Sequence, residues 1–350
     1  MLVLVFFRIV LLISNPVNAI VGFGDLGNFF RISQIPGWPY LHFWSEYPPI
    51  FPFFSKVIFV LANGREDVFV YCLFLLLTIL DVINLKLFLK LSEKVDNESP
   101  SWLRLGAYLI ILTALPYSWW YFEPLVVTTI LAGLLWILKG KYLRAGVMVG
   151  LGILVKLFPV LLLPLILKKA GWKKGLLATA IALGMVVGVY GALWIASPDF
   201  TLASLQSQGM KGSWESIWAV VDGNTMTGKM GPLVDRLDPL KASQTNRNPA
   251  LISPILTLLF FGGVGLWVFV RSKLIHAGQT IAFGLITFGL FFLWSPGWSV
   301  QWVLYLLPLI LLVFPLRTGS LLAVMLMIAN LLEWPVIYQL NQNFVPMTII

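Results

Sequence analysis

The chain alternates long apolar blocks with short polar loops, and that pattern carries most of what can be read from it. Val68–Leu89, Leu176–Ala196 and Leu251–Val270 are long, predominantly apolar runs, each near the roughly 20 residues that cross a hydrocarbon core as a helix. No stretch alternates polar and apolar with period two for long, as barrel strands would. The spans are therefore helices, which satisfy their own backbone hydrogen bonds in lipid. The pattern predicts an all-α polytopic membrane protein, one integral domain over residues 1–350, with about ten helices of unequal length including juxtamembrane and re-entrant elements. The opening MLVLVFFRIVLLISN reads as a short first helix, because Arg8 interrupts it and no small-residue cleavage site follows. The short first helix and the closing FVPMTII leave both ends open to extension.

Lysine and arginine gather in Lys86–Arg104, Lys139–Arg144, Lys168–Lys174, Arg271–Lys273 and at Arg317, which the positive-inside rule assigns to the cytoplasm. Facing the other side are the first loop (22–67), the Ser118–Pro124 turn, the long loop 197–249 and the Ser295–Trp302 turn. Most carboxylates outside the basic loops fall there, namely Asp25, Glu46, Asp67, Glu123, Asp199, Glu215, Asp222, Asp235 and Asp238. Two apolar stretches break the parity. If Pro48–Ala62 crossed, every later loop would invert, so it is expected to lie along or re-enter the outer boundary. Residues 146–167 sit between two basic loops, so they are expected to form a re-entrant hairpin turning near Lys156-Leu-Phe-Pro159. Irregular backbone at that depth is tolerated only inside protein or beside water, so the turn should approach a cavity.

Composition agrees with lipid as the solvent. Of 350 residues, 59% are hydrophobic and 11% charged, against roughly 25% charged in soluble domains. The net charge of +9 resides mostly in the short loops, so it reports topology rather than a nucleic-acid partner. Cys72 is alone, which excludes a disulfide framework and a thiolate site. His42 and His276 are far apart and on opposite predicted sides, against a histidine metal site. Phosphate-loop, HExxH and paired-CxxC motifs are absent. Asn97-Glu98-Ser99 matches a glycosylation acceptor but lies in a predicted cytoplasmic loop.

Several side chains could carry chemistry. Asp25 follows the first helix in GFGDLGNFF, where flanking glycines let backbone approach a ligand. A carboxylate at that boundary suits a general base, and equally suits a helix N-cap. Glu123, in TALPYSWWYFEPLVV, is a second outer carboxylate, or a helix-start acid favoured by the macrodipole. Lys156 stands inside an apolar stretch, where an ammonium marks a site or an ion partner unless it snorkels; a phosphate would suit it. Arg31, Arg65, Arg236 and Arg247 break the positive-inside trend, as phosphate ligands or as solvated loop charges. The outer aromatics, among them Trp38, Tyr40, Trp44, Tyr47, Trp119, Trp120, Tyr121, Trp294, Trp298 and Trp302, fit an interfacial belt, and sugars also stack on such rings.

In their order along the chain, Asp25, EYPPIFPFF (Glu46–Phe54), Glu123, GLGILVKLFPVLLLP and WSPGWSVQWVLYLLP resemble the GT-C superfamily of membrane glycosyltransferases. The arrangement is most similar to bacterial polyprenyl-phosphate-mannose-dependent mannosyltransferases, from Asp25 to about Pro308. The resemblance implies an inverting transfer of a hexose, mannose, from a polyprenyl-phosphate donor to a lipid or glycan acceptor. The site would face the non-cytoplasmic side of a bacterial inner (plasma) membrane. It implies Asp25 and Glu123 as catalytic residues, Lys156, Arg31, Arg236 and Arg247 at the donor phosphate, and Glu46, Tyr47, Trp298 and Gln301 at the substrate. No resident metal is assigned, and a divalent cation is left open as the one cofactor to test. The leading alternative is a transporter or lipid-linked sugar flippase, which would favour inverted repeats, and none is evident here. A polysaccharide ligase is a third reading, with Arg236 and Arg247 as its paired loop arginines.

Overall fold

The computed structural model describes residues 1–95, 99–225, 227–228, 230–244 and 247–337. The Asn97–Glu98 part of the acceptor motif and the FVPMTII end lie outside those residues. Sixteen α-helices and no strand appear among the described residues, with two isolated bridges, Pro39–Phe43 and Trp214–Gly297. The number exceeds ten because the loops themselves fold into short helices, among them Val17–Val21, Leu26–Gln34, Tyr117–Trp120 and Ile217–Asp222. Among the described residues five helical stretches are long and apolar enough to cross a membrane by length and composition: Glu66–Ser92, Phe158–Ala196, Pro254–Arg271, Ala277–Trp294 and Leu316–Ile337.

The Glu123–Leu138 helix runs through the middle of the bundle, with Val126, Ile130, Leu131 and Leu134 buried. It packs on the helices Glu66–Ser92, Tyr142–Val155 and Val303–Val313. A helix apolar on every side, as EPLVVTTILAGLLWIL is, belongs inside. At its start Asn84 donates to the Pro124 carbonyl (3.0 Å) and Thr128 to Asn84 Oδ1 (2.8 Å). Arg8, the charge that interrupts the first helix, meets Asp81 at 3.1 Å, donates to Ser118 and lies 4.1 Å over the Trp119 ring. Burying either charge alone in so apolar a place is costly. The pair therefore ties the first helix to the turn that carries Glu123.

The basic segments come together at the opposite end. Lys168 and Lys169 donate to the carbonyls of Phe269 and Leu274, and the Tyr142 hydroxyl to that of Lys169 at 3.2 Å. Phe269 lies in the last turn of the Pro254–Arg271 helix, where an ammonium satisfies an acceptor the helix leaves open, and Leu274 lies in the linker that follows. Between Tyr142 and Lys169 the chain makes a closed hairpin. The Tyr142–Val155 helix ends at Lys156, whose backbone is extended, and the chain returns through Phe158–Leu162 and the start of Leu163–Ala196. That last helix bends at Gly171 (φ 71°). The Ile50–Leu61 helix packs on Leu26–Gln34 through Phe29–Phe51 and Phe30–Phe59 ring contacts. Phe51 also stacks on Phe122, with centroids 3.9 Å apart, which anchors it beside Glu123.

Candidate functional site

A cavity of about 1040 Å³ opens among the hairpin tip, the first loop, the 197–249 segment and the Ser295–Trp302 turn. Its volume stands at the upper end of the roughly 300–1,000 Å³ usual for small-molecule sites. Eight of the ten residues singled out from the sequence line it: Asp25, Arg31, Glu46, Tyr47, Lys156, Arg236, Arg247 and Gln301. They come from segments separated by up to almost the whole chain, and packing alone unites them.

Asp25 reaches the wall through a fixed turn. Its amide donates to the Trp120 carbonyl at 2.9 Å, and its own carbonyl accepts from Phe29 at 2.8 Å. Gly24 permits this approach, since a Cβ there would lie 2.2 Å from Trp120 Cβ. Although Asp25 precedes the Leu26–Gln34 helix, its side chain makes no capping hydrogen bond to that helix. The N-cap alternative does not describe its carboxylate.

Lys156 tips the hairpin into the cavity and forms a salt bridge to Glu123 Oε1, which also accepts from Tyr305 at 3.2 Å. Glu123 itself is fully buried beneath Lys156 and is not part of the cavity wall. The expected second carboxylate facing the substrate is thus the counter-ion of the ammonium that does. Trp298 also stays off the wall: it packs edge-on against Trp302 and donates to Asn330 at 3.2 Å. Its neighbour Trp302, on the same turn, lines the cavity instead.

Around Glu46 the wall is cationic. Arg236 meets Glu46 at 3.2 Å and lies 4.9 Å over the Trp44 ring. Trp44 is held in turn by the carbonyls of Asp235 and Asp238. Burial alone would push the Glu46 carboxyl up; Arg236 and Lys211 outweigh it and hold the group below its ordinary value. Burial raises the Tyr47 phenol well above its usual range, with Asp25 and Glu46 adding to the effect, so it stays a donor. Arg247 donates to the Lys211 and Thr227 carbonyls beside Trp214. Trp214 is stitched to the Ser295–Trp302 turn through Pro296, Trp298 and Ser299.

Sequence reasoning missed Lys211, Asn28, Gln208 and Trp214 as cavity residues. Lys211 carried the one available signal, a cation in the loop opposite the basic ones. A separate flank of the cavity is apolar, formed by Leu157, Val160, Leu161, Leu183, Ile252 and Phe291. Among the described residues no group of three or more His, Cys, Asp or Glu side chains could hold a metal ion.

The site therefore joins a carboxylate at a fixed turn, a cationic wall and an apolar flank in one chamber, an arrangement able to hold an anionic amphiphile beside a hydroxyl acceptor. A model of glycosyltransferase family 87 matches residues 44–296, which include Glu46, Tyr47, Glu123, Lys156, Arg236 and Arg247. No curated protein and no solved structure matches the chain. With nearly three quarters of its length matched, the chain belongs to glycosyltransferase family 87 and is a membrane glycosyltransferase.

Proposed function

We propose that the enzyme moves a hexose, mannose, from a polyprenyl-phosphate donor to a lipid or glycan acceptor at the non-cytoplasmic face of a bacterial plasma membrane, with inversion. The observation that carries the reading is that Asp25 lines the same chamber as Lys156, Lys211, Arg236 and Arg247. In the reaction an acceptor hydroxyl oxygen bonds to C1 of the sugar while the C1–O bond to phosphate breaks. Asp25 takes the hydroxyl proton, and the electron pair of the broken bond leaves with the prenyl phosphate. Because the transition state is oxocarbenium-like, stabilising the departing anion is where a cationic wall helps most. Glu123 orients Lys156 from below, and Tyr47 and Gln301 face the sugar.

The apolar flank at Leu157, Val160 and Leu183 suits the lipid part of the donor, which cannot leave the bilayer. The positive-inside rule supports the outer face as the working side, since the basic loops meet at the far end of the bundle. On this reading 146–167 is the re-entrant hairpin and Ile50–Leu61 a boundary helix. Membership of a glycosyltransferase family favours transfer over a transporter or flippase. The test is transfer of labelled sugar from polyprenyl-phosphate-mannose in membranes by wild type and Asp25→Asn. Loss of transfer in the variant is expected; equal rates would remove Asp25 from the base position.

A further inference from the structure

Among the described residues five cations line the cavity, and they differ in what they already hold. Lys156 is engaged by Glu123, Arg236 by Glu46, and Arg247 by two backbone carbonyls. Arg31 lies on the exposed rim. Lys211 stands apart: among the described residues its ammonium makes no hydrogen bond and no ion pair within salt-bridge distance; it lies 5.7 Å from the Trp214 ring and feels the Glu46 carboxylate only at longer range. Its backbone is nevertheless fixed, because its carbonyl accepts from Arg247 and Trp214 three residues later is bonded to Ser299 and Pro296.

We propose that Lys211 is the residue that takes up the negative charge developing on the departing phosphate, a role that rests on the donor reading above. The donor phosphate is a diester with one negative charge. Once C1–O is broken it is a monoester carrying about −1.5 to −2 at neutral pH, so the reaction shifts close to one negative charge from Asp25, which takes the hydroxyl proton, onto the phosphate. Lys156 and Arg236 are each neutralised by a carboxylate before the substrate arrives. The ammonium without a contact partner of its own is Lys211, since Glu46, the carboxylate it feels, is already paired with Arg236, and its attraction to the phosphate grows as the bond breaks. An interaction stronger in the transition state than in the ground state raises kcat rather than tightening donor binding alone.

The experiment compares the purified full-length wild type with Lys211→Met and Lys211→Arg, using farnesyl phosphate as a product mimic. Lys211→Met is expected to weaken farnesyl phosphate binding at least about tenfold and to lower kcat by about 10²-fold, with the acceptor KM unchanged. If wild type binds farnesyl phosphate and Lys211→Met binds it equally well with kcat intact, Lys211 loses the role while the donor reading stands. If wild type binds no farnesyl phosphate and uses no prenyl-phosphate donor, the donor reading itself fails and this inference with it. Should Lys211→Met not assemble, Lys211→Arg decides through its pH profile. Burial lowers the Lys211 ammonium pKa; Glu46 opposes that, and Lys156, Arg236 and Arg247 lower it further. Wild-type kcat therefore falls as pH rises through that depressed value, and a guanidinium moves the fall to higher pH. An unmoved alkaline limb overturns the assignment.

Discussion

Replacing Gly24 by alanine displaces Asp25 while leaving its carboxylate chemically intact. The added Cβ would stand 2.2 Å from Trp120 Cβ and 2.7 Å from Trp120 Cα, whereas ordinary contact begins at 3.4 Å. Relief requires a movement of about 1.2 Å by the Gly22–Asp25 turn. Trp120 cannot yield easily, since its amide donates to Pro116 and its neighbour Ser118 is bonded to Arg8. The strain costs about 1–3 kcal/mol, as overpacking does, and losing the Asp25–Trp120 backbone bond costs about 1 kcal/mol more. A misplacement of about 1 Å lowers the rate of a positioned reaction by about 10²-fold. The assay is sugar transfer per folded enzyme for wild type, Gly24→Ala, Asp25→Asn and Gly191→Ala. Gly191→Ala is the control, because a Cβ there meets open space within a helix. Gly24→Ala should fall towards the Asp25→Asn rate with prenyl-phosphate binding preserved. A folded Gly24→Ala enzyme as fast as wild type would refute the claim that this turn sets the position of Asp25.

Removing the carboxylate with Glu123→Ala leaves the Lys156 ammonium without its counter-ion and should cost about 3–5 kcal/mol; Glu123→Ala/Lys156→Met should recover part of it, read as melting temperature in detergent. In the same way Asp81→Leu alone strands Arg8, again at about 3–5 kcal/mol, and a double Arg8→Met/Asp81→Leu protein melting no higher than the single variant would count against the ion-pair account. Glu46 makes stability pH-dependent. Its folded pKa is below the ordinary 4.5, so its contribution is complete above about pH 4.5 and is lost as pH falls through the lower folded value. The stability gap between wild type and Glu46→Gln, followed by melting against pH, should therefore narrow in acid; a gap that widens there would contradict the sign.

The bundle was legible because each predominantly apolar block is a single contiguous segment of sequence. Val68–Leu89 appears inside Glu66–Ser92 and Leu251–Val270 beside Pro254–Arg271, set by the cost of exposing backbone polar groups to lipid. The break at Lys156 was legible too, since a charge followed by Pro159 opposes continued helix. So was the identity of most cavity residues, because polar groups amid apolar sequence stand out. What each of them touches was not. Asp25 and Glu123 are equivalent in sequence, as outer carboxylates next to helix starts, yet one faces the chamber and the other lies beneath Lys156. Trp298 and Trp302 sit on one turn, and only the second reaches the wall. Arg8 read as an interruption until Asp81, 73 residues away, supplied its partner. Which of five cations is left without an ion-pair or hydrogen-bond partner among the described residues likewise depends on ion pairs closed across the fold. Local sequence determines which segments are helical and roughly how deep their charges lie, because those are one-dimensional costs of burial. Which charge faces another and which faces the cavity depends on contacts between distant segments, so only the tertiary structure decided it.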